Sequence, residues 1–183
     1  MKMKSYKDID GWFEYTKTYD YLVSTIPENG IFVECGAWLG RSSSYLCSIA
    51  NQRNINIYIV DSWKGSPTRL TSTHKLATET DIFEIFKSNL EGANYTAIRE
   101  LSVNACKNFE DNSCDVVFID MEHTYEAVKE DIEVWLPKVK KDGIIAGHDY
   151  LLPNWPGVVQ AVDEYFGKSN IQIIDDCWIF KKV

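Results

Sequence analysis

The chain is poor in basic residues: 19 Lys and Arg stand against 27 Asp and Glu, a formal net charge of −8. Binding nucleic acid through its phosphates needs the opposite surplus, so a general backbone binder is excluded. No run approaches the ~20 apolar residues that a membrane span requires. The opening stretch, Met1 to Asp10, is too polar for a signal peptide. Five cysteines are an odd number, none lies in a Cys-x-x-Cys pair, and four sit in apolar runs, so a disulfide framework or zinc knuckle finds no support. Internal repeats, low-complexity tracts and interdomain linkers are missing too. What remains is a cytoplasmic globular protein: 183 residues suit one domain, and 45% apolar residues supply a sizeable core.

Within that domain, short β-branched runs alternate with helical patterns, as in a parallel sheet covered on both faces. Strands are expected at 31–35, 55–61, 95–99, 114–120 and 143–147, with helices at 40–52, 80–90, 103–109, 124–136 and 157–166. Proline disfavours a helical residue before it, so Leu136-Pro137 marks the end of the fourth of these helices. An N-terminal helix over 9–24, carrying Trp12, Phe13, Tyr15 and Tyr19, is expected to pack on the sheet edge. Runs 171–174 and 178–181 are too close for a parallel crossover and read as an antiparallel hairpin. The expected fold is α/β: a Rossmann-like, seven-stranded, mostly parallel sheet, with an N-terminal segment (1–29) and a core (30–183) in one domain. Residues 62–79, rich in Ser, Thr, Gly and Pro, read as a long functional loop that holds His74.

The acids fall at revealing places. Glu34 lies near the end of the first strand and Asp61 and Asp120 end the second and fourth, while Asp149 follows the fifth. Open α/β sheets bind ligands beyond the carboxyl ends of their strands, so all four acids are expected to face one crevice. The first turn, Glu34-Cys35-Gly36-Ala37-Trp38-Leu39-Gly40-Arg41-Ser42, is glycine-rich but lacks Gly-x-Gly-x-x-Gly. Trp38 fills the position of the second glycine, which obstructs a pyrophosphate and suits a nucleoside without phosphate. Asp61, 21 residues past Gly40, has the spacing of an acid that holds a ribose hydroxyl pair.

This turn resembles the first motif of class I S-adenosylmethionine-dependent methyltransferases, in the catechol O-methyltransferase style. Val117-Phe118-Ile119-Asp120-Met121-Glu122-His123-Thr124-Tyr125-Glu126, then Asp131, Trp135-Leu136-Pro137, Gly143-Ile144-Ile145-Ala146-Gly147-His148-Asp149-Tyr150 and Ala161-Val162-Asp163-Glu164, are similar to a narrower group. That group contains macrocin- and mycinamicin-type sugar O-methyltransferases and is related to cephalosporin hydroxylase. The resemblance implies a cofactor set of Glu34, Gly36, Ala37, Trp38, Gly40, Ser42, Asp61, Ser62, Ser102 and Asp120. Within it, Gly36, Trp38 and Gly40 would wrap the methionine end, Asp61 would bind the ribose, and Ser102 would approach the adenine. It also implies a divalent ion, Mg²⁺ first, held by Asp120, His148 and Asp149, although an imidazole is a poor Mg²⁺ ligand and suits Zn, Fe or Ni better. His123 matches the position of a catalytic base.

Methyl transfer to an alcohol needs a group that takes the hydroxyl proton, which is work for an imidazole, a metal or both. His123 is the first choice as base and His148 the second, with Asp120 orienting the ring or holding the ion. The expected reaction is O-methylation of a small hydroxylated acceptor, such as a sugar. The alternatives are a non-catalytic cofactor-binding module and a hydroxylase-like enzyme on the same scaffold. Neither nucleic acid nor membrane is an expected partner. With little chain left for substrate recognition, selectivity falls to the N-terminal helix, residues 62–79, residues 151–156 or a second subunit in a homodimer.

Overall fold

Two strands in the middle of the sheet are buried along nearly their whole length. β1 (Ile31–Cys35) and β4 (Cys114–Ile119) pair with each other in parallel. The remaining strands are β2 (Asn56–Asp61), β3 (Thr96–Arg99), β5 (Val139–Gly147), β6 (Gln172–Ile174) and β7 (Cys177–Lys181). The sheet order is β3-β2-β1-β4-β5-β7-β6; β1 to β5 run parallel, and β7 is antiparallel to β5 and to β6. This is the expected Rossmann-like sheet with its terminal hairpin. The computed structural model describes residues 2–66 and 72–183, and the side chains of these apart from 72–74.

Strand alternation divides the core into two layers. Phe32, Val116, Phe118, Ile144 and Ala146 point to one face, where α1 (Thr16–Thr25), α2 (Arg41–Ala50) and α4 (Ile82–Asn89) cover them. Val33, Cys35, Val117, Ile119 and Ile145 point to the other, under α5 (Ser102–Ala105), α6 (Tyr125–Trp135) and α7 (Pro156–Phe166). All five cysteines are free and buried, as their apolar settings imply. No helix among the described residues is long and apolar enough to cross a membrane.

Four expectations need correction. The N-terminal helix begins at Thr16, not residue 9, and it lies over the middle of the sheet rather than its edge. Tyr15 stacks on Phe118 and Tyr19 meets it edge-on, with ring centroids 5.5 and 4.9 Å away. Phe13, Tyr15 and Tyr19 form a lid on β1 and β4. The stretch 62–79 is not all loop, because α3 (Ser72–Glu79) occupies its end; residues 67–71, and the side chain of His74, lie outside those described. β5 starts four residues early, at Val139, since Cys114 pairs with Val139 before the ladder jumps to Val116–Ile144. The charged Lys140-Lys141-Asp142 at that irregularity masked the strand. Lastly, 103–109 is a single turn of α-helix followed by a 3₁₀ turn, Cys106–Asn108.

Candidate active site

At the carboxyl ends of β1, β4 and β5 the backbone ladder continues one residue past the strands. The Asp120 amide donates to the Cys35 carbonyl at 2.8 Å and the His148 amide to the Ile119 carbonyl at 3.1 Å. The turns after β4 and β5 therefore lie side by side. Thr124 caps α6, its side-chain oxygen accepting from the Ala127 amide, so His123 is held just ahead of the helix. Asp149 adopts φ +61°, a left-handed conformation uncommon for a residue with a side chain, which turns its carboxyl back over the strand end.

These constraints gather Asp120, His123, His148 and Asp149. Asp120 Oδ1 lies 3.4 Å from His123 Nε2, and Asp149 Oδ2 makes a closer ion pair with the same nitrogen. The other oxygen of each carboxylate has separate partners. Tyr15 donates its hydroxyl to Asp120 Oδ2 at 2.9 Å, while His148 Nδ1 lies 3.7 Å from that oxygen and 3.4 Å from Asp149 Oδ1. Neither acid sits along the N–H direction of His123 well enough to accept a hydrogen bond, and this buried Nε2 has no hydrogen-bond partner. Burial opposes charge on the His123 ring, but Asp120 and Asp149 outweigh it and raise its pKa to about 9. Asp120 is itself partly desolvated, yet His123, His148 and Tyr15 hold its carboxyl below the usual range. Trp155 covers the His123 ring at 4.8 Å and Tyr15 covers the His148 ring at 4.2 Å.

The turn after β1 is built by close approach. Gly36 has φ +97°, and a Cβ there would come within 1.9 Å of the Asp120 carbonyl, so only glycine fits against the site. Asp61 closes the turn from β2: its Oδ2 accepts from the Ala37 and Trp38 amides at 2.9 and 3.0 Å, and its Oδ1 from the Trp63 amide at 2.7 Å. The Trp63 indole donates to the Trp38 carbonyl at 2.9 Å, and its buried ring packs on Phe83 and Phe86. Burial raises the Asp61 pKa, against the backbone amides, which include that of Ser62. Trp38 leans on Trp12, 6.3 Å between centroids.

Three expected cofactor residues, Glu34, Ser42 and Ser102, are turned inward. Glu34 shares the face of Phe32, not the crevice, and accepts from Tyr19 at 2.7 Å and from Ser43 beneath α1 and α2. Ser42 also hydrogen-bonds it, and burial drives its pKa up to about 7. Ser102 is buried in the opposite layer, where its hydroxyl accepts from the Trp135 indole at 2.8 Å. Tyr150, 2.5 Å from Asp163, is likewise occupied. Tyr15, which the sequence did not place at this cluster, joins it through its bond to Asp120; the run of aromatics before Thr16 was its only signal.

A family model described as a methyltransferase domain matches residues 33–150, which span the glycine turn through the β5 acids. The chain belongs to that family. Its fold is shared with the O-methyltransferase NovP, at 19% identity, TM-score 0.66, covering 92% of this chain and 79% of that one. It is shared also with CalS11, a TDP-rhamnose 3′-O-methyltransferase of calicheamicin biosynthesis, at 14% identity and TM-score 0.60, covering 91% and 76%. A Streptococcus mutans protein solved in complex with SAH matches at 12% identity and TM-score 0.58, covering 94% of this chain and all of that one. Among curated sequences, an uncharacterized protein of Sinorhizobium fredii, y4gI, is 26% identical over 121 residues, 64% of this chain. The chain spans only 13% of that relative's length. The glycine turn and the acid–imidazole cluster both fall within the matched residues and lie on the same rim of the sheet.

Proposed function

We propose that this methyltransferase transfers the methyl group of S-adenosylmethionine to a hydroxyl oxygen of a small acceptor, a sugar hydroxyl being the leading class. The observation that carries this reading is the Asp120/His123/His148/Asp149 cluster, beside the turn that faces the cofactor in this fold. Proton-accepting groups at that place are needed for an alcohol, which is a poor nucleophile until its proton leaves. The O-methyltransferase activities of NovP and CalS11 support the acceptor class.

In the reaction the acceptor oxygen attacks the sulfonium methyl in line, the carbon–sulfur bond breaks, its electron pair stays on sulfur as a neutral thioether, and the hydroxyl proton passes to the protein. His123, first choice from sequence, is a poor recipient without an ion because two carboxylates keep it protonated at neutral pH. The proton is assigned instead to His148. Its Nδ1 faces Asp149, which orients the ring and stabilises the imidazolium that forms, as a carboxylate does in a catalytic triad. Asp61 maintains the shape of the glycine turn, and Trp155 with Tyr15 shields the two imidazoles from water.

For the divalent ion that the resemblance implies, the donors fit: Asp120, His123 and Asp149 offer ligand atoms all within 4.8 Å of one another, and the His123 nitrogen is buried with no hydrogen-bond partner. When bound, such an ion lowers the pKa of a coordinated hydroxyl. The test is to supply S-adenosylmethionine with panels of sugars and phenols, with and without added divalent ions, and to follow S-adenosylhomocysteine. Methylated sugar is the expected product. Intact cofactor binding with no turnover on any hydroxylated acceptor defeats the proposal.

A further inference from the structure

We infer that His123 is a metal ligand rather than the base, and that the ion it holds with Asp120 and Asp149 is a first-row transition ion, not Mg²⁺. This deepens the proposed reading of the same cluster and rests on it only for location. The carboxylate oxygens of Asp120 and Asp149 divide into an inner and an outer pair. The inner pair, Asp120 Oδ1 and Asp149 Oδ2, converges on His123 Nε2, which has no hydrogen bond to either. The outer pair is held from behind: Tyr15 donates to Asp120 Oδ2, and His148 Nδ1 approaches Asp149 Oδ1 and Asp120 Oδ2. Two carboxylates oriented from their far sides, with their inner oxygens converging on one imidazole nitrogen, are an arrangement that fixes a metal ion.

The donor chemistry then chooses the ion. Mg²⁺ demands an oxygen octahedron, whereas an imidazole with two carboxylates suits zinc, iron(II), cobalt or nickel. His148 cannot take the place of His123, because its Nδ1 faces the outer oxygens. The sequence-based set of Asp120, His148 and Asp149 thus exchanges one histidine for the other. His123 is also fixed on the backbone side, since the Thr124 cap starts α6 right behind it and Trp155 lies over its ring.

The experiment uses the full chain stripped of metal and titrated with Co²⁺, Zn²⁺ and Mg²⁺, read by calorimetry and by the visible absorption of Co²⁺. The expected result is Co²⁺ and Zn²⁺ binding at least ~100-fold tighter than Mg²⁺. His123→Ala is expected to lose more than ~100-fold in Co²⁺ affinity and to shift the absorption bands. His148→Ala is expected to stay within the about 10–100-fold cost of removing an orienting group, with the bands in place. His123→Asp guards against a folding defect, since it restores an all-oxygen set and is expected to move the preference toward Mg²⁺. Equal or tighter Mg²⁺ binding by the natural chain, or a His123→Ala protein with unchanged Co²⁺ affinity and spectrum, overturns the inference. Calorimetry with S-adenosylmethionine and assays of turnover are run on the same samples. A protein that binds Co²⁺ through His123 yet methylates nothing refutes the proposed function alone.

Discussion

Glu34, enclosed beneath α1 and α2, keeps its proton to about pH 7, while its ordinary value is 4.5. Asp131, buried and bonded to Ser102, is raised in the same way from 3.8 to about 6. A carboxyl raised on folding stabilises most below its unfolded pKa and loses that stabilisation as pH climbs through the folded one. His123, raised from 6.5 to about 9 by its acids, stabilises fully below 6.5 and loses this as pH rises through 9. All three act in one direction, so the melting temperature of the metal-free chain is expected to fall steadily from pH 5 to pH 9. Glu34→Gln should flatten the lower half of that slope and leave the upper half; thermal melts in a constant-ionic-strength buffer series decide it. At the same scale, Tyr15→Phe keeps the stacking on Phe118 and His148 but removes the hydroxyl from Asp120. Turnover is expected to drop about 10–100-fold, the usual cost of losing an orienting group, with the fold intact by circular dichroism.

Among the elements, the turn between β1 and α2 and the end of β2 behave as one piece. Asp61→Asn leaves an amide group facing backbone donors, so at least one of the Ala37, Trp38 and Trp63 amides loses its acceptor. Stability should fall by roughly 1–3 kcal/mol in chemical denaturation, and S-adenosylmethionine affinity should fall with it in calorimetry. Gly36→Ala should cost at least ~1–3 kcal/mol from backbone strain alone, before its clash with the Asp120 carbonyl, and is expected to express poorly. Such elements were largely readable beforehand, because mostly buried parallel strands such as 31–35 and 114–119 are short, mainly apolar runs whose flanks carry turn residues. The helix over 125–135 was legible for the same local reason, with Thr124 at its start and Leu136-Pro137 at its end. The start of β5 was not, because a strand passing an irregularity near charged residues shows no alternation. The cluster of Asp120, His123, His148 and Asp149 was legible as strand-end residues. Which oxygen meets which nitrogen depends on the φ of Asp149 and on Tyr15, more than a hundred residues away in sequence, and neither leaves a local trace.

Seen as a whole molecule, the division into an amino-terminal segment and a core that starts at residue 30 does not describe where the apolar surface is buried. Ile9, Phe13, Tyr15, Tyr19, Leu22, Val23 and Ile26 belong to the same buried cluster as Phe32, Phe118 and Ile144. Removing residues 1–25 should therefore expose the part of β1 and β4 that α1 and the aromatics before it cover, giving an aggregating or dye-binding species instead of a smaller folded domain. Far-UV circular dichroism with 8-anilinonaphthalene-1-sulfonate fluorescence checks this, and a truncated chain that melts cooperatively would refute it.

The phenol of Tyr15 ties the amino-terminal strap to the Asp120 carboxylate. A fluorophore or other bulky group attached just ahead of it would pull on that strap, so labels for kinetic work belong at an exposed position such as Lys141, toward the opposite end of β5.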